Sequence, residues 1–466
     1  MSRPIGWLLN CCYAAVIMMA SPVISWRMLR QGKYRTGFAA KFLGRVPVRS
    51  GEAPCIWLHA VSVGEVNLLA TTIAELRRQR PDCDIVVSTT TVTGFELARK
   101  KYAAYTVCYC PLDFSWACAA VVNRLRPNLL VLAELELWPN LIAAAKRGGA
   151  KVAIVNGRLS DASFRGYRRL RPLVARVLRQ LDLVAVQDEE TRARFATLGA
   201  KPQSLFVTGS VKFDGAETNR GNPRTVALKS LAGIRNADRV VLAGSTQAPE
   251  EQYAIDVLRR RMATGVDGAG EGSLRLILVP RHAERFEDVA QLVAASGLPW
   301  TRRSQLGGPV GDSLRESPAT LGERRRHRGP PWQLLLVDAI GELGAWWGTA
   351  DVGFVGGSFG SRGGQNMLEP AAYGVPTCFG PNTWNFRDIV RRLLAVDGAR
   401  VVRNAGELEE FVNRTLDEPH EAAALGARAR QLVLSQQGAT RRTVELLGPL
   451  VAEPIASAVD AREQAA

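Results

Sequence analysis

The sequence predicts an α/β chain folded as two doubly wound parallel sheets behind an apolar leading helix. Three observations carry that expectation. Short runs rich in Val, Ile and Leu alternate with helix-length stretches, the rhythm of parallel strands joined by crossover helices. The runs form two series, separated by a polar, turn-rich stretch at residues 212–224, KFDGAETNRGNPR. Several runs end in glycine-rich turns leading into helices, where sheets of this kind bind ligands.

The leading segment, residues 4–26, reads PIGWLLNCCYAAVIMMASPVISW and carries no charge. About 20 apolar residues suffice to span a hydrocarbon core of roughly 30 Å as a helix. Trp7 and Trp26 stand at interfacial positions. Arg27, Arg30, Lys33, Arg35, Lys41 and Arg45 follow the run, whereas Arg3 alone precedes it. The positive-inside rule then places the rest of the chain in the cytoplasm. A cleaved signal peptide would carry its basic flank in front. Asn10, Pro22 and Ser25 weaken the span and leave open a helix lying in the interface. The expectation is an uncleaved anchor with its basic flank over residues 1–35.

The first series of strands is expected at 55–61, 84–88, 129–133, 151–155 and 183–187, with helices such as 66–80 and 189–198 between or after them. The second is expected at 239–243, 274–279, 333–337 and 351–355. Low-complexity stretches at 265–272 and 301–331 interrupt it. The longer one, with a basic cluster at 324–328, reads as a disordered loop.

Size and charge agree with this plan. A chain of 466 residues suits two domains of roughly 150–200 residues plus an extra segment. Eight cysteines lack paired zinc spacing, and Cys108 and Cys110 form a lone C-x-C, the pattern of free buried thiols in a reducing compartment. The net charge of +16 implies anionic company. Nothing resembles a nucleic-acid module, which leaves an anionic membrane surface and phosphorylated substrates.

Candidate chemistry sits at strand ends. The first strand runs into Ser62-Val63-Gly64-Glu65, where Glu65 either serves as a base or complements a helix dipole. After LLVLA come Glu134 and Glu136, at a spacing that puts both on one face of an extended chain, unless the second turns away to cap a helix. Arg158, after the next strand, suits an anionic group. The run RGYRRLRPLVARVLRQ brings Arg165, Arg168, Arg169, Arg171, Arg176 and Arg179, by default a solvated basic helix face and, next to a membrane anchor, one suited to anionic headgroups. In the second half, Ala243-Gly244-Ser245-Thr246 offers amides and hydroxyls to a phosphate. Pro280-Arg281-His282 and Gly356-Gly357-Ser358 end two further strands. In Gly363-Gly364-Gln365-Asn366-Met367-Leu368-Glu369-Pro370, Asn366 and Glu369 have capping-box spacing, yet Glu369 is also placed to accept both hydrogen bonds of a ribose diol.

Taken in order, SVGE (62–65), ELWPN (136–140), NGRLS (156–160), TGSVKFD (208–214), PRHAERF (280–286), FVGGS (354–358) and GGQNMLEPAAYGVP (363–376) resemble the 3-deoxy-D-manno-octulosonic acid (Kdo) transferase family of lipopolysaccharide biosynthesis. The resemblance runs from the anchor to at least Asp388. It implies a GT-B glycosyltransferase: two Rossmann-like domains facing a cleft, an acceptor-binding one over 36–215 and a nucleotide-sugar-binding one over 225–450. It implies CMP-Kdo as donor, a lipid A precursor as acceptor, inversion, no cofactor and no metal, and a place at the inner membrane. By position, Glu65 would be the general base. Arg281, Gly357 and Ser358 would hold the CMP moiety, Glu369 its ribose, and Asn366 would support that loop. Glu136, Arg158 and Lys212 would face the cleft. The chain departs from the family pattern at Gln365 (usually His), at Met367 and Ala283 (commonly Pro) and at Leu135 (usually Thr).

Overall fold

The computed structural model describes residues 3–31, 36–265, 272–308 and 332–451. They form two compact units, one running to Gly215 and resuming at Gln436, the other covering Ala216–Ser435. The change at Gly215 falls inside the polar stretch 212–224. The second unit does not run on to 450, however. From Gln436 the chain returns to the first.

The first unit carries seven parallel strands: β1 (Cys55–His59), β2 (Asp84–Thr89), β3 (Thr106–Tyr109), β4 (Leu129–Ala133), β5 (Lys151–Gly157), β6 (Leu183–Val186) and β7 (Leu205–Val207). Their order is β3-β2-β1-β4-β5-β6-β7. The sheet therefore reverses direction between β1 and β4, the switch point where doubly wound sheets open a crevice at the strands' carboxyl ends. The central strands are buried along their whole length, as expected where helices cover both faces.

The second unit repeats the plan with β8 (Arg239–Thr246), β9 (Leu274–Pro280), β10 (Trp300–Arg302), β11 (Leu334–Leu336), β12 (Val352–Val355), β13 (Thr377–Phe379) and β14 (Arg400–Val401). All pairings are parallel and the order is β10-β11-β9-β8-β12-β13-β14. Its switch point lies between β8 and β12. The stretch from residue 301, expected as a disordered loop, opens instead with edge strand β10. There Arg303 is fully buried against Glu342, with Nε and Nη2 bonded to its carboxylate at 2.8 and 2.9 Å. The cluster at 324–328 and most of 265–272 lie outside the described residues.

A helix over Arg3–Gln31 precedes the first sheet, and over Gly6–Val23 it is long and apolar enough to cross a membrane by length and composition. At the other end, the helix Ala439–Leu447 packs on the helix Val63–Gln79. Val444 and Leu447 join a core containing Ile56, Leu58 and Val66. Asp214, from the TGSVKFD motif, accepts the amides of Gly438 (2.6 Å) and Thr440 and so caps this returning helix. The described cysteines are free. Six are buried, and Cys11 and Cys12 lie exposed on the leading helix.

Candidate active site

The carboxyl edge of the first sheet gathers acids. Ser62 caps the helix Val63–Gln79 by accepting from the Glu65 amide at 3.3 Å. The Glu65 carboxylate returns the contact, accepting from Ser62 Oγ and the Val61 amide at 2.8 Å each. The cap geometry is thus real, but a carboxylate has about four acceptor sites, so Glu65, half-buried at the switch point, keeps capacity for a ligand.

Glu134, one residue beyond β4, takes a left-handed conformation with φ +56°. It faces Lys212 Nζ at 3.7 Å. Glu136 accepts from Trp138 Nε1 at 2.8 Å. Burial raises the Glu136 carboxyl to about 7, Glu65 and Glu134 add to the rise, and the Trp138 bond opposes it. Glu136 therefore shares its surroundings with Glu65 and does not turn away to cap a helix.

That cap comes from a residue the sequence did not single out. The helix Pro139–Arg147 has no capping side chain of its own. Asp113 supplies one, accepting the amides of Asn140 (3.0 Å) and Leu141 (2.8 Å). Burial raises Asp113 to about 6 while these amides act the other way.

Asn156, at φ +54°, accepts from Gln187 Nε2 (3.1 Å) and the Val211 amide (3.3 Å), which ties the NGRLS and TGSVKFD turns together. Arg158 lies exposed just past β5. His59 ends β1 fully buried, with Nδ1 3.0 Å from Ser88 Oγ. Desolvation lowers it to about 4 and keeps it neutral. All six arginines of the 165–179 run are exposed, beside the exposed Leu170 and Leu173.

The edge of the second sheet is built from turns. Ser245 sits at φ +56° between β8's last residues, and Thr246 Oγ1 is buried without a partner. Glu250, 1% exposed, accepts from the amides of Gln247 (2.9 Å), Gly357 (2.7 Å), Ser358 (2.9 Å) and Phe359 (3.1 Å). The amides of the Gly356–Ser358 turn are therefore already bonded within the protein. Ser358 Oγ donates to Val355 O (2.7 Å) and accepts the Gly380 amide (2.8 Å). What this turn offers a ligand is close backbone approach. A Cβ at Gly356 would lie 2.6 Å from the Glu250 carboxylate and 2.7 Å from Thr246 Cα.

Around it stand the remaining candidates. Arg281 is exposed beyond β9, with its amide on Thr246 O at 3.1 Å. Asn366 Nδ2 donates to Glu369 Oε1 at 3.0 Å, and Asn366 Oδ1 accepts the Leu368 amide at 3.2 Å. The expected capping box is absent from these bonds, because the helix Leu368–Ala372 begins later and Glu369 meets a side chain. Burial raises Glu369, with Asn366, Arg281 and Trp347 acting the other way. Arg281, Asn366 and Glu369 thus form one group.

Comparison with known proteins bears on this arrangement. Residues 32–215 match the family model for 3-deoxy-D-manno-octulosonic-acid transferase (kdotransferase). The chain is 32% identical to the 3-deoxy-D-manno-octulosonic acid transferase of Bordetella pertussis, over 93% of this chain and 98% of that one. It is 30% identical to that of Haemophilus influenzae, over 94% and 97%. In fold it is similar to a glycosyltransferase from Rickettsia africae, with a TM-score of 0.50 at 10% identity, covering 86% of this chain and 99% of that one.

Proposed function

This chain belongs to the 3-deoxy-D-manno-octulosonic acid transferase family and is a glycosyltransferase, and from that premise we propose that it transfers Kdo from CMP-Kdo to a lipid A precursor with inversion at the anomeric carbon. The observation that carries the reading is the place of Glu65 at the helix start beyond β1, on the switch point of the first sheet, with acceptor capacity left on its carboxylate.

Glu65 is the base. It takes the proton of the acceptor hydroxyl as that oxygen attacks the anomeric carbon from the face opposite CMP, help worth roughly 10²–10⁴ in rate. Lys212 and Arg158 hold anionic groups of the acceptor. On the second unit, Glu369 accepts from the ribose diol, Asn366 fixes its carboxylate, and Arg281 takes up charge on the departing CMP phosphate. Gly357 and Ser358 shape the floor on which the nucleotide lies, through backbone approach rather than their amides.

The leading helix holds the enzyme at the inner membrane with both units on the cytoplasmic face. The 165–179 arginines add attraction to anionic headgroups.

The test is transfer by the full chain in detergent from CMP-Kdo to a lipid A precursor, with free CMP and UDP as competitors. Transfer inhibited by CMP supports the reading. Competition by UDP instead would assign a UDP-sugar donor, and absence of transfer to this acceptor would remove the lipid A precursor.

A further inference from the structure

The leading helix is more than an apolar rod. Asn10 and Tyr13, three residues apart and so on one face, both engage the first unit. Asn10 Nδ2 donates to Ser115 Oγ at 2.8 Å, and Asn10 Oδ1 accepts the Ser115 amide at 3.0 Å and Asn140 Nδ2 at 3.4 Å. Tyr13 Oη donates to Asp113 Oδ2 at 3.1 Å, and its ring packs edge-on against Phe114 at 6.2 Å. Asn10, Asp113 and Asn140 are each no more than 3% exposed.

These contacts complete helices that lack their own caps. The helix Ser115–Leu125 begins at Phe114, which has no capping side chain, and Asn10 serves its first amide. The helix Pro139–Arg147 begins at Trp138, likewise without a cap, and is served by Asp113. Asn140 Nδ2 also donates to Asp113 O at 2.6 Å. Asn140 is two residues from Trp138, whose indole holds Glu136. A continuous chain of bonds and short backbone steps thus runs from Asn10 through Asn140 and Trp138 to Glu136. A simple lipid tether has no use for a buried Asn in an otherwise apolar run, where an amide without partners is destabilising.

We propose that the leading helix is a built part of the transfer site, in which Asn10 and Tyr13 are positioning residues that hold the Glu136–Asn140 turn for the acceptor. The proposal rests on the function given above. On the face opposite, Leu8, Met19 and Val23 are exposed and remain available for lipid.

The experiment compares the full-length parent, Asn10→Ala and Tyr13→Phe in detergent and in membranes. Hydrogen exchange at the Asn140 and Leu141 amides should quicken in both variants. With CMP-Kdo and a lipid A precursor, kcat/KM for the acceptor should fall between about 10- and 100-fold, the scale of a small misplacement in an active site. CMP affinity and the membrane-bound fraction should stay at parental values. If Asn10→Ala fails to fold, Tyr13→Phe, which removes one hydroxyl, carries the test alone. Unchanged exchange and unchanged acceptor kinetics would overturn the proposal, as would a loss of membrane binding with both of these intact. Faster exchange at Asn140 and Leu141 in a chain that transfers no Kdo would leave the clamp standing and defeat the functional reading.

Discussion

Each sheet places a carboxylate beside its switch point, and the two are treated in opposite ways. Glu250, in the second unit, accepts four backbone amides and is nearly sealed from solvent. Glu136, in the first, accepts one indole N–H and faces two like charges. The supply of donors sets their tasks. A carboxylate with four amides is spent on shaping a turn, whereas one with a single donor and acidic neighbours retains free-energy differences that a substrate can use. The same contrast holds between Gly357 and Ser358, whose amides are engaged, and Glu65, whose carboxylate keeps open acceptor sites.

The strongest way to break the contrast is at Glu65. Glu65→Gln keeps the size and one acceptor oxygen for the Val61 amide, lets Ser62 Oγ accept from the new side-chain amide, and removes the base. Single-turnover transfer should fall by roughly 10²–10⁴ with CMP affinity at parental values. Near-normal transfer would take Glu65 out of the chemistry and leave it as a cap.

Glu250 should show the reverse pattern. Glu250→Ala strands buried amides, each costing about 1–3 kcal/mol when unsatisfied. Thermal unfolding of the full chain should register a loss of several kcal/mol in the second unit. A variant melting like the parent would mean that the turn holds without its carboxylate.

Glu369 lies between these extremes. Its replacement by Ala should weaken CMP-Kdo binding by roughly 1.5–3 kcal/mol, the worth of charge-assisted hydrogen bonds. Titration calorimetry reads this directly, and intact affinity with a lowered melting temperature would make Glu369 a support for its loop.

The smallest effect is expected at Glu136. Its folded-state value of about 7 stands above the ordinary 4.5. The folded chain therefore keeps a proton that the unfolded chain has released. That stabilisation is complete below about pH 4.5 and is lost as pH rises through 7. Glu136→Gln, neutral throughout, should melt above the parent at pH 8, with the gap closing toward pH 5. The gap is modest because the half-buried group is screened by solvent. A gap that does not change with pH would place the Glu136 titration elsewhere.

The sequence made the central strands legible and the margins obscure. β1, β4, β8 and β9 are buried apolar runs, which periodicity finds. β3, β7, β10, β13 and β14 are two to four residues long and lie toward the sheet edges, so no pattern accumulates. Glu65, Glu136, Arg281 and Glu369 stand out as candidates because strand ends and motifs mark them. Asp113, Glu250 and Asp214 were not, since their partners lie 27, 107 and 224 residues away in the chain. Each acts only once the fold has brought a distant helix start or turn to it.

The return of the chain at Gln436 has a consequence for synthesis. The first unit is made first but cannot be finished first, because Val444 and Leu447 fill its core and Gly438 and Thr440 satisfy Asp214. The second unit is one uninterrupted segment, Ala216–Ser435, and has all its residues in hand sooner. On a ribosome adding about 5–20 residues per second, the nascent enzyme carries an incompletely closed acid-bearing unit until the helix Ala439–Leu447 emerges.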